Sequence, residues 1–521
     1  QFQRYLIDFG TTVVGSLGLQ IQGAVGGEVV DTLHVETIDE STLTPDYILD
    51  RHCRMAFSHR LTCRAGENNH FFYHIFGFRY VVIAVRNIKS NLSIRPSLRT
   101  AIYPLDIQGR FKSSDENLTQ IWEICAHTQR CCSLDAFVDT PWREQAQWWG
   151  DARVQVWNTF HLANDDRLLR RGIQSIAAQK TPEGLTYGHA PTMAHNCILP
   201  DFSLIWILTV WDHYWQTGSA EMCDTHEETI LSLLNYFKNT LHPKLGLVQY
   251  DPRYWLFLDW TDLHKEGCPT LLNLWLLEAL DKLTILWTRN KKALLAKQAR
   301  TWALRLRKAL KPLINRDGLI RDGYDSKGKM VQEASVHNQI LALMTKLNPP
   351  SKQKMIEERL LPSLRNPSQF KAQPSAYWIT YLFSVLQEND HISEVIQSIR
   401  KHWSPMIPHG TTWENFSPKR GEWSFSHAWS SHPLYHFMQT IGGIRQTSPQ
   451  WKSIDFHPHF EGSSAETIIP TPMGKIESRW EKVGNKIKVS LQIPKNVEAT
   501  IILPGIKKYR TEKSFSREFL L

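Results

Sequence analysis

Between residues 112 and 440 apolar side chains recur at helical spacing in one segment after another, while both ends of the chain alternate as strands do. That change of period, made twice, constrains the fold more than any single motif. The first helix is signalled by SSDENLTQIWEICAHTQRCC, where Ser and Asp offer caps and Leu118, Ile121, Trp122 and Cys125 follow at helical spacing. Further helices are predicted at 151–164, 166–179, 202–218, 223–240, 270–287, 291–311, 331–346, 353–363, 374–388, 391–402 and 427–440. Twelve helices suit six antiparallel pairs closed into an (α/α)6 toroid. The loops at 183–202 and 246–267 are long and aromatic, and loops of that length usually carry function.

Before the helices, LGLQIQGAV, VVDTLHVETI and HRLTCRA read as strands, and the aromatic stretch 71–87 reads as a hairpin with Gly77 at a tight point. After residue 450, IESRW and KIKVSLQI are joined by a Gly-Asn turn. The expected organisation is multidomain: an antiparallel β-sandwich over 1–104, a helical toroid over 105–440 and a second antiparallel β-sandwich over 441–521. A chain of 521 residues is too long for one ordinary core, so several domains are required.

Composition excludes several classes. With 42% apolar and 21% charged residues the chain is globular, not disordered. Its net charge of +9 is spread out, with clusters near 290–297 and 305–311 that read as outer helix faces. No zinc finger, basic zipper or RNA-binding aromatic motif accompanies them, so nucleic acid is not an expected partner. The eight cysteines, Cys53, Cys63, Cys125, Cys131, Cys132, Cys197, Cys223 and Cys268, form neither a disulfide scaffold nor a metal-ligand pattern. His189, His195 and Cys197 share a loop without a third ligand, so no metal is expected, and no phosphate loop or dinucleotide fingerprint implies a cofactor. No apolar run reaches membrane-spanning length. No secretory leader is legible and the chain starts without methionine. The reading is a cytoplasmic protein, or a longer one whose leader lies upstream.

The stretch DTPWREQAQWWGD, 139–151, sets three acids, an arginine and three tryptophans in thirteen positions. Glycoside hydrolysis needs such acids: one protonated carboxyl for the leaving oxygen, and a second to attack or to activate water. Pro141 and Gly150 allow an irregular path on which Asp139, Glu144 and Asp151 face one hollow. Their mutual repulsion would keep one protonated near neutral pH. Glu144 is the candidate acid, with Trp148 and Trp149 as aromatic walls. The second acid comes from far along the chain: in HGTTWENFSPKRGEWSFSHAW, 409–429, Glu414 lies between aromatics, whereas Glu422 beside Lys419 and Arg420 reads as a surface ion pair. Asp201 and Asp259 sit beside aromatics in the long loops and read either as hydroxyl-binding acids or as helix caps.

DTPWREQAQWWGDA, GTTWENF with SFSHAW behind it, FGFRYVVI (76–83) and TPMGKIESRW (471–480) together resemble the α-L-rhamnosidase family, glycoside hydrolase family 78. The resemblance implies an (α/α)6 catalytic toroid between β-sandwiches and an inverting, exo-acting hydrolysis of terminal α-L-rhamnosides. It implies Glu144 as general acid and Glu414 as general base. It further implies Asp139, Arg143, Asp151 and His427 as sugar contacts, with Trp148 and Trp260 flanking the ring. The chain departs from the family pattern at Thr140, where Cys is usual, at Gln145, and at Phe202, where Trp is usual. Calcium occurs in some members, but no oxygen-ligand loop here predicts it. The expected partner is a glycoside, oligosaccharide or polysaccharide. The competing readings are another glycone on the same scaffold, such as an acidic sugar, and a non-catalytic carbohydrate-binding protein.

Overall fold

The computed structural model describes residues 2–46, 57–347 and 352–520. A helical core is flanked by β-sheet regions. The first helices are α1 (Glu116–Cys131), α2 (Trp149–Ala163), α3 (Arg167–Ala178) and α4 (Pro200–Thr217). Asp115 caps α1, its carboxylate accepting from the amides of Asn117 and Leu118, which satisfies two of the orphan donors of a first turn. Helices α2 and α4 are buried on nearly every side, whereas α3 buries only the stripe of Leu168, Leu169, Ile173 and Ile176. Apolar all round means interior and apolar on one stripe means outer layer, so α2 and α4 lie inside and α3 covers them. Thr270–Arg289 and Ala293–Leu310 repeat this inner and outer contrast.

Four predicted helices depart from their expected spans. The 374–388 segment is helical only over Ile379–Gln387, and 427–440 only over Pro433–Thr440 after a 3-10 turn at Ala428–Ser430. Two more are cut by local contacts or breaks. The 331–346 segment is helical only over Val336–Met344, because Met330 bridges Tyr324 in an extended pairing and the Asp322 carboxylate takes the Ser335 amide at 2.7 Å. The 223–240 segment breaks at His226 into Glu221–Thr225 and Glu227–Asn239.

The N-terminal region is a six-stranded antiparallel sheet. The strands run Ser58–Thr62, Val29–Val35, Phe76–Arg86, Phe2–Val25, Ala65–Phe71, and Ser93–Thr100 also pairs with Phe2–Val25. The 71–87 stretch is therefore not a hairpin: the long first strand inserts between its two arms. That strand pairs with Phe76–Arg86 along its first half and with Ala65–Phe71 and Ser93–Thr100 along its second. Gly77 is tight for a different reason. A Cβ there would lie 2.5 Å from the Cβ and Cγ of Pro141, and the Gly77 amide donates to Pro141 O at 2.6 Å.

At the other end, Phe515–Leu520, Lys486–Gln492, Gly474–Val483, Ser464–Thr471 and Arg110–Ser113 form a five-stranded antiparallel sheet. The residues between Val483 and Lys486 turn the expected Gly-Asn hairpin. A second sheet is not purely antiparallel as expected, since Ser453–Phe456 runs parallel to Glu498–Ile501. Three strands of the five-stranded sheet, Ser464–Thr471, Gly474–Val483 and Lys486–Gln492, intervene between them in sequence, which is the long crossover a parallel pair needs. Residues Arg110–Ser113 precede α1 yet belong to this C-terminal sheet.

Among the described residues no helix is long and apolar enough to cross a membrane, and no group of three or more His, Cys, Asp or Glu could hold a metal. The seven cysteines of the described residues are free thiols; Cys53 lies outside them.

Candidate active site

Residues 139–148 form an irregular loop between α1 and α2 that closes on itself. Asp139 N donates to Ala146 O, and Ala146 N returns a bond to Asp139 Oδ1, both at 3.0 Å. Glu144 and Gln145 take left-handed φ of 53° and 51°, a conformation that costs a non-glycine residue free energy. The surroundings hold it: Gln145 Nε2 donates to Pro141 O at 2.8 Å and to Ile75 O at 2.9 Å. Trp142 is driven into the N-terminal sheet, its indole stacking near Phe57 and donating to His34 O at 3.1 Å. With Trp142 and Pro141 pinned, the turn projects Arg143 and Glu144 the other way.

They meet the second loop there. Arg143 Nη2 donates to Glu414 Oε2 at 2.7 Å, and Arg143 Nη1 lies 3.3 Å from Glu144 Oε1. One guanidinium thus stands between the two carboxylates. Glu144 Oε2 also accepts from the Trp148 indole at 3.0 Å. Glu414 is buried, and its Oε2 accepts the Ser424 amide at 2.7 Å. Burial raises its pKa above the ordinary value, and Arg143 opposes that rise.

A cavity of about 160 Å³ is lined by Asp139, Glu144, Trp148, Asp151, Trp260, Glu414 and His427, with Leu199, Phe202, Trp255, Phe257 and Trp429 completing its wall. Seven sequence-predicted residues are brought together here. Arg143 lies behind them, between the two glutamates. His427 Nε2 lies 3.7 Å from Asp151 Oδ1, beyond hydrogen-bond range. Asp151 Oδ1 and His427 Nδ1 find no hydrogen-bond partner among the described residues. Burial pushes the Asp139 carboxyl far up, and the neighbouring Glu144, hydrogen-bonded to it, pushes it further. Asp151 is pushed up by burial, then by Glu144 and Glu414. His427 is driven down by burial and then by Arg143. Burial therefore biases Asp139 and Asp151 towards their protonated forms and His427 towards its neutral one, which leaves the floor polar and averse to charge.

Three expected contacts are placed elsewhere. Trp149 is fully buried at the start of α2, its indole donating to Thr209 Oγ1 at 3.0 Å and its ring packed on Gly172. It is a core residue because it enters the helix pointing away from its neighbour Trp148. Asp201 is neither cap nor wall: its carboxylate accepts the amides of Phe257 and Leu258 at 3.3 and 2.8 Å. Asp259 accepts the Ser375 amide at 2.9 Å and pairs with His337 Nε2 at 2.9 Å, both fully buried. Both acids tie down the kinked loop, with Leu258 at φ 59°, that presents Trp260. Glu422 pairs with Lys419, as a surface acid does.

The sequence reading did not assign Trp255, Phe257 or Trp429. Trp255 stands near Trp260, with ring centroids 5.9 Å apart. The aromatic density of 254–260 is the signal for Trp255 and Phe257, and Trp429 ends the SFSHAW stretch. Phe202 packs on Gly150, where a Cβ would come within 2.5 Å of its ring.

Beyond Trp260 and Glu414 a second hollow of about 420 Å³ opens, lined also by Lys371, Gln373, Asn415, Phe416 and Trp423. Lys371 is held by Asp262 at 2.7 Å.

A helical core carrying an acid-lined, aromatic-walled cavity is the architecture of a glycosidase. Residues 106–441 match the model of the bacterial α-L-rhamnosidase six-hairpin glycosidase domain, and 443–517 match the bacterial α-L-rhamnosidase C-terminal domain. The chain belongs to the α-L-rhamnosidase family, glycoside hydrolase family 78, and has its glycosidase fold. It is similar to an α-L-rhamnosidase of Alteromonas sp. (strain LOR), 22% identical over 530 residues, covering 96% of this chain and 56% of that protein. The chain thus spans about half the length of the curated relatives it matches. Among solved structures, a family 78 rhamnosidase of Bacillus sp. GL1 superposes with a TM-score of 0.87 at 24% identity, covering 96% of this chain and 53% of that one. An α-L-rhamnosidase of Streptomyces avermitilis, solved with L-rhamnose, gives a TM-score of 0.81 at 19% identity, covering 99% and 52%.

Proposed function

We propose that the chain is an inverting, exo-acting α-L-rhamnosidase, with Glu144 as general acid and Glu414 as general base. The observation that carries the reading is the placement of Glu144 and Glu414 on either side of the Arg143 guanidinium, in a cavity of about 160 Å³, room for one sugar ring. A guanidinium between two carboxyls suits the ~6.5–9.5 Å separation that leaves space for an attacking water. Glu144, in its protonated form and hydrogen-bonded to the Asp139 carboxyl, delivers its proton to the leaving oxygen. Glu414, whose ionised form Arg143 and the Ser424 amide favour against burial, takes one from water as that water attacks the opposite face of the anomeric carbon. Asp139, Asp151 and His427 meet the sugar hydroxyls, and the unpaired atoms of Asp151 and His427 gain partners on binding. Trp148 and Trp260 flank the ring. The leaving group lies toward the outer hollow. The helices form the (α/α)6 toroid over 105–440, between β-sandwiches over 1–104 and 441–521.

An acidic glycone fits less well. The inner cavity presents four carboxyl groups, and its guanidinium is already taken by two of them. Lys371 lies in the outer hollow and is paired.

The test is hydrolysis of p-nitrophenyl α-L-rhamnopyranoside by the parent, E144Q and E414Q, with NMR of the first-formed anomer. General acid–base groups contribute about 10²–10⁴-fold, so E414Q loses most of the rate on any substrate. E144Q loses more on a rhamnosyl disaccharide than on the nitrophenyl glycoside, whose leaving group needs little protonation. Release of β-L-rhamnose first supports inversion. No hydrolysis by the parent refutes the rhamnosidase reading and directs attention to other glycones; equal sugar binding by all three proteins without hydrolysis of any glycone makes it a binding protein.

A further inference from the structure

A carboxyl from outside the cavity reaches both catalytic loops. Glu36 follows the strand Val29–Val35 of the N-terminal sheet and is 1% exposed. Ser424 Oγ donates to its two oxygens at 3.0 and 3.1 Å, and the Phe425 amide donates to Oε2 at 2.8 Å. Ser424 is the residue whose own amide holds Glu414 Oε2, and whose carbonyl accepts the Glu414 amide at 3.0 Å. The same hydroxyl meets Thr140 Oγ1 at 2.6 Å, four residues before Glu144. One serine therefore joins the sheet, the Glu414 loop and the Glu144 loop.

The contacts repeat along the strand end. His34 O accepts the Trp142 indole at 3.1 Å on the Glu144 loop, and Ile38 O accepts Arg420 Nη1 at 2.8 Å on the Glu414 loop. Glu36 lies just past the end of Val29–Val35, with the carbonyls of His34 and Ile38 two residues to either side, so 34, 36 and 38 together touch both loops. A carboxyl buried to this degree costs free energy unless it is neutral or fully hydrogen-bonded, which argues against an incidental side chain. Burial, first among the causes, raises Glu36 to about 8.

We propose that Glu36 is a positioning residue for Glu414, acting through Ser424, which makes the N-terminal sheet a working part of the site. The proposal rests on the reading of Glu414 as general base. Misplacement of a reacting group by 1 Å can cost about 10²-fold, so E36A lowers kcat by about tenfold to a hundredfold, while KM changes less than about threefold. E36Q, the isostere of the neutral acid, restores the rate to within about threefold of the parent. S424A, which cuts the link but keeps the amide, repeats the E36A pattern in weaker form and covers the case in which E36A does not fold. Crystal structures of E36A and S424A read the positioning without any substrate: the Ser424 amide moves off Glu414 Oε2 in E36A. If the parent hydrolyses no glycoside, the functional reading fails, and this crystallographic arm still decides the role of Glu36. Parent-like kcat in E36A and S424A, or a Glu414–Ser424 bond unchanged in E36A, overturns the proposal.

Discussion

Replacing Glu36 by Gln should stabilise the protein by an amount that grows with pH. The carboxyl is raised from an ordinary 4.5 to about 8 in the folded chain, chiefly by burial. Below 4.5 both folded and unfolded chains hold the proton, and titration contributes nothing. Between 4.5 and 8 the folded chain holds a proton that the unfolded chain has released, so stability falls as pH rises. E36Q has no such proton to keep. At pH 7 the gap spans 2.5 pH units at about 1.36 kcal/mol each, or about 3 kcal/mol. Near neutral pH the glutamine amide keeps the acceptor for Phe425 and the contact with Ser424, so the hydrogen-bond inventory changes little. Unfolding entropy of about 2.1 cal/mol/K per residue gives this chain about 1.1 kcal/mol/K, so the gap corresponds to about 3 °C in Tm for unfolding as one unit. The assay is thermal melting of parent and E36Q in matched buffers from pH 4.5 to 8.5. The two Tm curves should meet at the acid end and separate steadily with E36Q above. Parallel curves would refute the reasoning, because they would mean that Glu36 is ionised in the fold.

Other perturbations separate the roles assigned above. R143M removes the charge that opposes the upward shift of Glu414; the acid limb of the kcat/KM profile should move to higher pH, since the base then holds its proton longer. G77A forces a methyl against Pro141 at an overpacking cost of about 1–3 kcal/mol, and by shifting the turn that carries Glu144 it should lower kcat more than it raises KM. W149F should lower stability by about 1 kcal/mol through loss of the Thr209 bond and leave KM within about twofold of the parent, since Trp149 is not in the cavity wall; a tenfold rise in KM would return that ring to the site.

The alternation of strand and helix period located the helical core, because burial on one stripe or all round leaves a mark over many residues. It did not locate pairing. Nothing in the 71–87 stretch reveals that a strand from the N-terminus slides between its arms, because pairing partners are chosen by tertiary contact and not by local pattern. The acid motif was legible as a cluster, and Pro141 announced the irregular path before α2, whereas Gly150 lies in the first turn of that helix. Which indole faced inward was not: Trp148 and Trp149 are adjacent, the first is the cap residue of α2 and the second begins the helix, so they diverge. Asp201 and Asp259 looked like ligands because they sit among aromatics, yet the amides they hold become visible only once the 255–260 loop is folded against them. Glu36 gave one faint signal, a carboxylate in an apolar strand run, whose purpose depends on a loop 388 residues away.

The strand Arg110–Ser113 also bears on how the chain is made. Its partner begins at Ala465, roughly 350 residues later, which at about 5–20 residues per second is some 20–70 s of translation. Until then the nascent protein carries an open hydrogen-bonding edge just ahead of α1. The C-terminal sheet therefore closes on Arg110–Ser113 only after the whole helical core has been synthesised. A chain cut before residue 465 would leave that edge unpaired, and an unpaired edge is a template for pairing with another chain.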